Sequence, residues 1–145
     1  MDYLSGTFTI MPTDKYILYA DDDRDDREMM EDVFIPLKEY RLVTFETGEA
    51  LLAFVKRMQN KIPICLIVLD INMPTLNGMQ VLRELKSSED HKHLPVVMFS
   101  TSNSPLDKQT ANYFKTDVVT KPMNLEQVRQ MSQQLLSYCG HQQQH

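Results

Sequence analysis

The chain has 145 residues, of which 42% are hydrophobic and 24% charged, a composition typical of one soluble globular domain. Its formal net charge is −5, which argues against nucleic acid or anionic lipid as a partner, because both need clustered lysines and arginines. No apolar run approaches the roughly 18 residues of a membrane span, and the N-terminus lacks the features of a signal peptide. Cys65 and Cys139 form no CxxC pair and predict no disulfide framework, so a cytoplasmic location is expected.

Short apolar runs alternate with segments of helical periodicity along the chain. The predicted strands are residues 16–20, 41–45, 64–69, 95–99 and 118–120. A helix is predicted after each strand, and several helix starts carry capping signals. These signals are Thr47 before a helix over about 48–60, Asn77-Gly78, Ser104-Pro105 before a helix to about Phe114, and Asn124 with Gln127 as a capping box.

Five strands alternating with five helices predict an α/β fold with a doubly wound five-stranded parallel sheet. The predicted domain covers residues 14–138, between an N-terminal extension at 1–13 and a tail at 139–145. Neither internal repeats nor a linker to a second domain is recognisable in the sequence.

The acidic residues are concentrated at residues 21–28, which read DDDRDDRE. From Asp23 onward these acids fit the first turns of a solvated helix, because carboxylates favour the positive end of the helix dipole. Asp21 and Asp22 differ, since they directly follow the first predicted strand. In open parallel sheets the C-terminal ends of the strands form the ligand-binding edge, so these two carboxylates are predicted to lie there.

Three of the other strands also end in chemically useful residues. Asp70 ends the third strand, Ser100 ends the fourth, and Lys121 follows the fifth. Three carboxylates at one edge repel one another unless a cation relieves them, and Mg²⁺ is usually held by one or two carboxylates with waters and phosphate oxygens. A lysine can neutralise one phosphoryl oxygen, and a serine hydroxyl can donate a hydrogen bond to a second one. An aspartate can attack phosphorus and form an acyl phosphate.

These segments together resemble the receiver domain of the two-component response regulator family. The motifs are ILYADDD at 17–23, LDINMP at 69–74 with Asn77-Gly78, VVMFST at 96–101 and TKP at 120–122, and the resemblance covers roughly residues 14–138. It implies the flavodoxin-like receiver fold. It also implies that Asp70 accepts a phosphoryl group from a histidine on a partner kinase or phosphotransfer protein. The acidic start and residues 100–102 are most similar to stand-alone receivers that pair with sensor kinases and phytochromes.

The resemblance further assigns roles around Asp70. Mg²⁺ is expected on the side chains of Asp22 and Asp70 and on the backbone carbonyl of Asn72, with Asp21 assisting mostly through water. Ser100 is expected to be the switch hydroxyl that moves toward the phosphoryl group, and Lys121 the lysine that binds it. The bond before Pro122 is expected to be cis.

The sequence departs from the family pattern at two positions. Val118 stands where many receivers carry an aromatic residue, three positions before the lysine, which leaves the choice of output surface open. Thr101 stands where alanine or glycine is common, and we hypothesise that its bulk restricts water and lengthens the lifetime of the phosphoryl group.

The predicted function is that of a single-domain response regulator, which catalyses only its own phosphorylation and dephosphorylation and signals to an unidentified protein target or through a phosphorelay. One alternative is an aspartyl-phosphate phosphohydrolase of the haloacid dehalogenase type, but Asn72 stands where that family needs a second aspartate as acid and base. Another alternative is an unphosphorylated receiver-like scaffold, although the site positions carry competent residues.

Overall fold

The computed structural model describes residues 14–102 and 104–141, so the predicted N-terminal extension at 1–13 lies outside the described residues. The strands are β1 (Lys15–Ala20), β2 (Tyr40–Phe45), β3 (Ile64–Asp70), β4 (Val96–Ser100) and β5 (Asp117–Thr120). The helices are α1 (Arg24–Phe34), α2 (Gly48–Met58), α3 (Gly78–Ser87), α4 (Pro105–Tyr113) and α5 (Leu125–His141). Strand and helix alternate throughout, as the sequence pattern predicts.

All strands run parallel in one sheet with the order β2-β1-β3-β4-β5, which confirms the predicted fold class. The register aligns the strand ends: Ala20 pairs with Leu69, Asp70 with Phe99, and Ser100 with Thr120. The C-terminal ends of β1, β3, β4 and β5 therefore lie side by side.

The core forms on both faces of this sheet. One hydrophobic cluster packs α2, α3 and α4 against the sheet, through residues such as Leu51, Leu82 and Ala111. The other packs α1 and α5 against the opposite face, through residues such as Phe34 and Val128. Every residue of β3 is buried, as expected for a central strand covered on both sides.

The predicted caps begin most helices where the sequence places them. The Thr47 hydroxyl accepts from the Ala50 amide, and the Ser104 hydroxyl accepts from the Asp107 amide. At α5, Asn124 Oδ1 accepts from the Gln127 amide, but the Gln127 side chain accepts from the Met123 amide instead of that of Asn124. The predicted capping box is therefore present in one of its two bonds.

Two helix ends differ from prediction. Helix α2 ends at Met58, two residues before its predicted end. Helix α5 continues to His141, so the boundary placed at residue 138 falls inside this helix, where Cys139 is fully buried. None of the helices in the described part of the chain has the length and apolar content needed to cross a membrane.

The two cysteines form a disulfide, so the prediction of no disulfide framework is wrong. Cys65 lies on β3 and Cys139 on α5, with their Cα atoms 4.8 Å apart. The residues are 74 positions apart in sequence, and only the packing of α5 on the sheet brings them together. Spacing along the chain carries no information on such a contact.

Gly78 is required where α3 begins, because its backbone lies against the end of β3. A Cβ atom there would lie 2.5 Å from the Asp70 carbonyl oxygen and 2.9 Å from the Ile71 Cα. We expect Gly78→Ala to lower the free energy of unfolding by about 1–3 kcal/mol in urea denaturation. Gly140→Ala is the matched control, since a Cβ at that helical glycine meets no atom within 4 Å. A Gly78→Ala protein as stable as wild type would contradict this close packing.

Candidate active site

The residues predicted at the strand ends meet at one edge of the sheet. The Lys121 ammonium lies 2.8 Å from Asp21 Oδ2 and 3.3 Å from Asp70 Oδ2, and all three side chains are buried. Lys121 directly follows β5, and its amide donates to the Ser100 carbonyl at 2.9 Å, which ties the end of β5 to that of β4. Asp22 lies beside them and is exposed.

Asp70 is 2% exposed at the end of β3. Its Oδ2 accepts from the Lys121 ammonium, and its Oδ1 accepts from the Asn72 amide at 3.3 Å. Burial and the nearby Asp21 carboxylate raise the pKa of Asp70 to about 6, against the lowering effect of Lys121. At neutral pH this group is therefore mainly an anion, held in a poorly solvated site.

Asp21 is fully buried and accepts several hydrogen bonds. Its Oδ1 accepts from the Asp23 amide at 2.9 Å, and its Oδ2 accepts from the Tyr19 hydroxyl as well as from Lys121. Burial, followed by the charge of Asp21, raises the pKa of Tyr19 well above its usual value, so this hydroxyl remains a proton donor.

Lys121 also contacts Asp26, at 2.7 Å between Nζ and Oδ2. Burial disfavours the charged lysine, but its hydrogen bonds with Asp21 and Asp26 outweigh this effect and raise the pKa of Lys121 above its usual value. The lysine is therefore a permanent positive charge among carboxylates, as the sequence argument requires.

The carboxylates suit a hard divalent cation. Asp21, Asp22 and Asp70 each offer an oxygen atom, and these atoms lie within 4.8 Å of one another. Such an all-oxygen, acidic donor set is what Mg²⁺ prefers, and among the described residues its two buried aspartates share the single ammonium of Lys121. The residues present therefore fit the predicted cation.

Ser100 ends β4 and is 4% exposed. Its hydroxyl donates to the Ser102 carbonyl at 2.7 Å and accepts from the Ser102 amide at 3.1 Å. The predicted switch hydroxyl is thus bonded to the loop that follows its own strand, and not to Asp70 or Lys121.

Thr101 and Asn72 connect the loops that follow β4 and β3. The Asn72 side-chain amide donates to the Thr101 hydroxyl at 3.3 Å, and both residues are exposed. Asn72 lies two residues after Asp70 and Thr101 directly follows Ser100, so this bond joins the loops that follow two of the site residues.

Two further predicted positions lie on and after β5. Val118 is half-buried against the core, and it lines a cavity of about 80 Å³ together with Ser100 and Thr120. Pro122 is buried, but its bond to Lys121 is trans, so the prediction of a cis bond is wrong. The two isomers differ little in energy before proline, so the surrounding fold decides between them.

Tyr19 and Asp26 belong to the site although neither was predicted there. The sequence predicts Asp26 in a solvated helix start, but the residue lies three positions after the Asp23 cap of α1, where its side chain contacts Lys121. The cap could have placed Asp26 on the first turn, but its distance to Lys121 depends on how α1 packs. For Tyr19, the sequence offers one signal. Its hydroxyl is a polar group within the apolar β1 segment, two residues before Asp21.

Known proteins are similar to this chain in sequence. Residues 17–133 match the response regulator receiver domain family. Response regulator Rcp1 of Synechocystis is 31% identical in an alignment of 130 residues that covers 86% of this chain and 88% of Rcp1. Chemotaxis protein CheV2 of Helicobacter pylori is 27% identical over 123 residues, and there the chain spans only 39% of the relative's length.

Solved structures agree with these sequence matches. The Mn²⁺-bound form of Rcp1 superposes with a TM-score of 0.71 at 30% identity, covering 85% of this chain and 92% of that one. The phosphorylated cyanobacterial phytochrome response regulator RcpA superposes with a TM-score of 0.75 at 28% identity, covering 86% of this chain and 95% of that one.

Proposed function

Because the chain belongs to the response regulator receiver domain family, we propose that Asp70 accepts a phosphoryl group from a phosphohistidine of a partner protein. The donor is a histidine kinase or a histidine phosphotransfer protein. The phosphorylated chain then signals by contact with a target protein, or passes the group to another histidine in a relay. Its only catalysis is its own phosphorylation and dephosphorylation.

The observation that carries this proposal is the surroundings of Asp70. A buried carboxylate at the end of β3 lies 3.3 Å from a lysine ammonium and beside two further carboxylates. The structure of a phosphorylated relative, RcpA, supports the same use of the fold.

The transfer step needs positioning and charge stabilisation more than acid or base chemistry. A carboxylate oxygen of Asp70 bonds to phosphorus as the phosphorus–nitrogen bond breaks, and the imidazole leaves with the electron pair. The Lys121 ammonium lies where it can bind a phosphoryl oxygen. Ser100 can donate to another oxygen once its hydroxyl leaves the Ser102 carbonyl.

Mg²⁺ is part of the proposal. Asp21, Asp22 and Asp70 would hold it, with the backbone carbonyl of Asn72 as a further ligand, and the ion would neutralise charge on the phosphoryl oxygens. The Mn²⁺-bound form of the relative Rcp1 supports a divalent cation in this family.

We place the protein in the cytoplasm, with neither nucleic acid nor membrane as its partner. The argument for the cytoplasm is the proposed phosphohistidine donor. The cysteines do not support this location, because a disulfide such as Cys65–Cys139 is unusual in the cytoplasm. With Val118 in place of an aromatic residue, the output surface is left open.

Incubation with acetyl phosphate tests the proposal. We expect intact-mass spectrometry to show one added phosphoryl group in the presence of Mg²⁺ and none with EDTA. Multiple turnover of p-nitrophenyl phosphate would instead favour a phosphohydrolase, and folded protein that takes up neither Mg²⁺ nor a phosphoryl group would favour a scaffold.

Thr101 is expected to protect the phosphoryl group. Its hydroxyl accepts from the side-chain amide of Asn72, which lies two residues after Asp70, and both residues are exposed. We expect Thr101→Ala to lose the group about fivefold faster, the rate equivalent of roughly 1 kcal/mol, when the phosphorylated mass is followed over time. Thr101→Ser separates the hydroxyl from the methyl group. Loss from Thr101→Ala at the wild-type rate would sink the hypothesis.

A further inference from the structure

The Lys121 ammonium has three donors, and three carboxylates surround it. Its contact with Asp26 Oδ2, at 2.7 Å, is shorter than its contacts with Asp21 at 2.8 Å and with Asp70 at 3.3 Å. The Asp26 side chain is 23% exposed and that of Lys121 is 9% exposed. The pair is thus partly shielded from water, so its attraction is stronger than that of a surface pair.

The first turn of α1 holds Asp26 in this position. Asp23 caps the helix, and its Oδ1 accepts from the amides of Asp25 and Asp26 at 2.8 and 3.2 Å. The Arg27 guanidinium donates to the Asp21 carbonyl at 2.8 Å, which fixes the helix start to the end of β1. These hydrogen bonds therefore fix the backbone that positions the Asp26 side chain beside Lys121.

We propose that Asp26 is a positioning residue for phosphoryl acceptance, which acts by keeping Lys121 beside Asp70. This inference rests on the proposed function. Asp26 itself touches neither Asp70 nor the incoming phosphoryl group in this role; its effect passes through the lysine.

The reason lies in the competing demands on the other two carboxylates. Asp21 and Asp70 belong to the group that would hold the cation, and a cation there repels the Lys121 ammonium and competes for the same oxygens. Asp70 also becomes the acyl phosphate, so its own carboxylate charge is lost. Asp26 lies outside the group of carboxylates that would bind the cation. Its ion pair with Lys121 is therefore kept before and after phosphorylation of Asp70.

A double-mutant cycle on the rate of phosphoryl uptake from saturating acetyl phosphate and Mg²⁺ tests this role. We expect Asp26→Asn to slow uptake about tenfold, as for the loss of a charged hydrogen bond. In the Lys121→Ala background, the same change should alter the rate by less than about twofold, because the partner is already gone. Asp26→Glu should recover part of the rate.

Asp25→Asn is the matched control, since Asp25 lies on the same helical turn and is exposed. We expect it to react at the wild-type rate. If Asp26→Asn takes up the phosphoryl group at a rate within twofold of wild type, the inference is overturned and the proposed function stands. The same holds if Asp26→Asn slows uptake equally in the wild-type and Lys121→Ala backgrounds. Wild-type protein that takes no phosphoryl group overturns the proposed function and this inference with it.

A second readout needs neither cation nor phosphoryl group. In metal-free protein, the Lys121 ammonium protons should exchange slowly enough to give an NMR signal, because the group is buried and fully bonded. We expect the signal in wild type and Asp25→Asn, and its loss or strong broadening in Asp26→Asn. An unchanged signal in Asp26→Asn would overturn the positioning role even if the rate fell.

Discussion

Asp70→Asn protein is expected to gain no phosphoryl group from acetyl phosphate and Mg²⁺ under conditions where wild type gains one. The reason is chemical, since a carboxamide is not a nucleophile toward phosphorus and cannot form the acyl phosphate. The change is nearly isosteric, and it removes one charge from a site where Asp21 and Asp70 repel each other. We therefore expect the variant to remain folded and no less stable than wild type.

Intact-mass spectrometry after a fixed incubation measures this outcome, with thermal unfolding as the test of folding. Asp90→Asn is the matched control, because Asp90 is exposed in the loop before β4, and we expect it to gain the group normally. Uptake by folded Asp70→Asn at the wild-type level would show that another residue is the acceptor.

Removing the lysine is expected to have the largest effect on stability. Lys121→Ala leaves the buried carboxylates of Asp21 and Asp70 without the ammonium that contacts both of them. Breaking a buried ion pair from one side typically costs about 3 kcal/mol or more, because the remaining charge stays buried. We therefore expect the free energy of unfolding in urea to fall by about 3 kcal/mol in metal-free buffer.

Added Mg²⁺ should restore part of this loss, because it supplies a cation to the same carboxylates and binds only the folded chain. Lys38→Ala controls for the loss of a lysine at an exposed position and should change stability by less than about 0.5 kcal/mol. Unchanged stability of Lys121→Ala would mean that the ion contacts around Lys121 contribute nothing to folding.

The fold could be predicted because its signals are local. Each buried strand is a short apolar run, most of the helices have apolar residues at helical spacing, and capping residues such as Thr47 and Ser104 mark helix starts. The strand-then-helix order then forces a parallel sheet. The end of α5 does not follow from the local sequence, since the helix continues through Gly140 to His141.

The site could be predicted in part for the same reason. Asp70, Ser100 and Lys121 are placed by the ends of strands, and parallel strands bring their ends to one edge whatever the details of packing. Contacts that depend on how a helix lies over that edge were not predictable. Asp26 reaches Lys121 only because α1 packs as it does, and Cys139 meets Cys65 only because α5 covers β3.

Side-chain directions were the least predictable features. The Ser100 hydroxyl bonds to the Ser102 carbonyl, a choice made by the loop after β4 and not by the strand. The strand pleat puts the side chains of Tyr19 and Asp21 on one face, but this alternation alone does not select the Asp21 carboxylate as the partner of the hydroxyl. Both hydrogen bonds lie in or beside the site, so phosphorylation of Asp70 changes the charge near them.

The most direct test of the account is to locate the phosphoryl group in the chain. Borohydride reduces an aspartyl phosphate to homoserine, which peptide mass spectrometry can assign to a single position. After incubation with acetyl phosphate and Mg²⁺, the expected result is homoserine at position 70 and at no other aspartate. Homoserine at another position, or none in a chain that has gained a phosphoryl group, would contradict it.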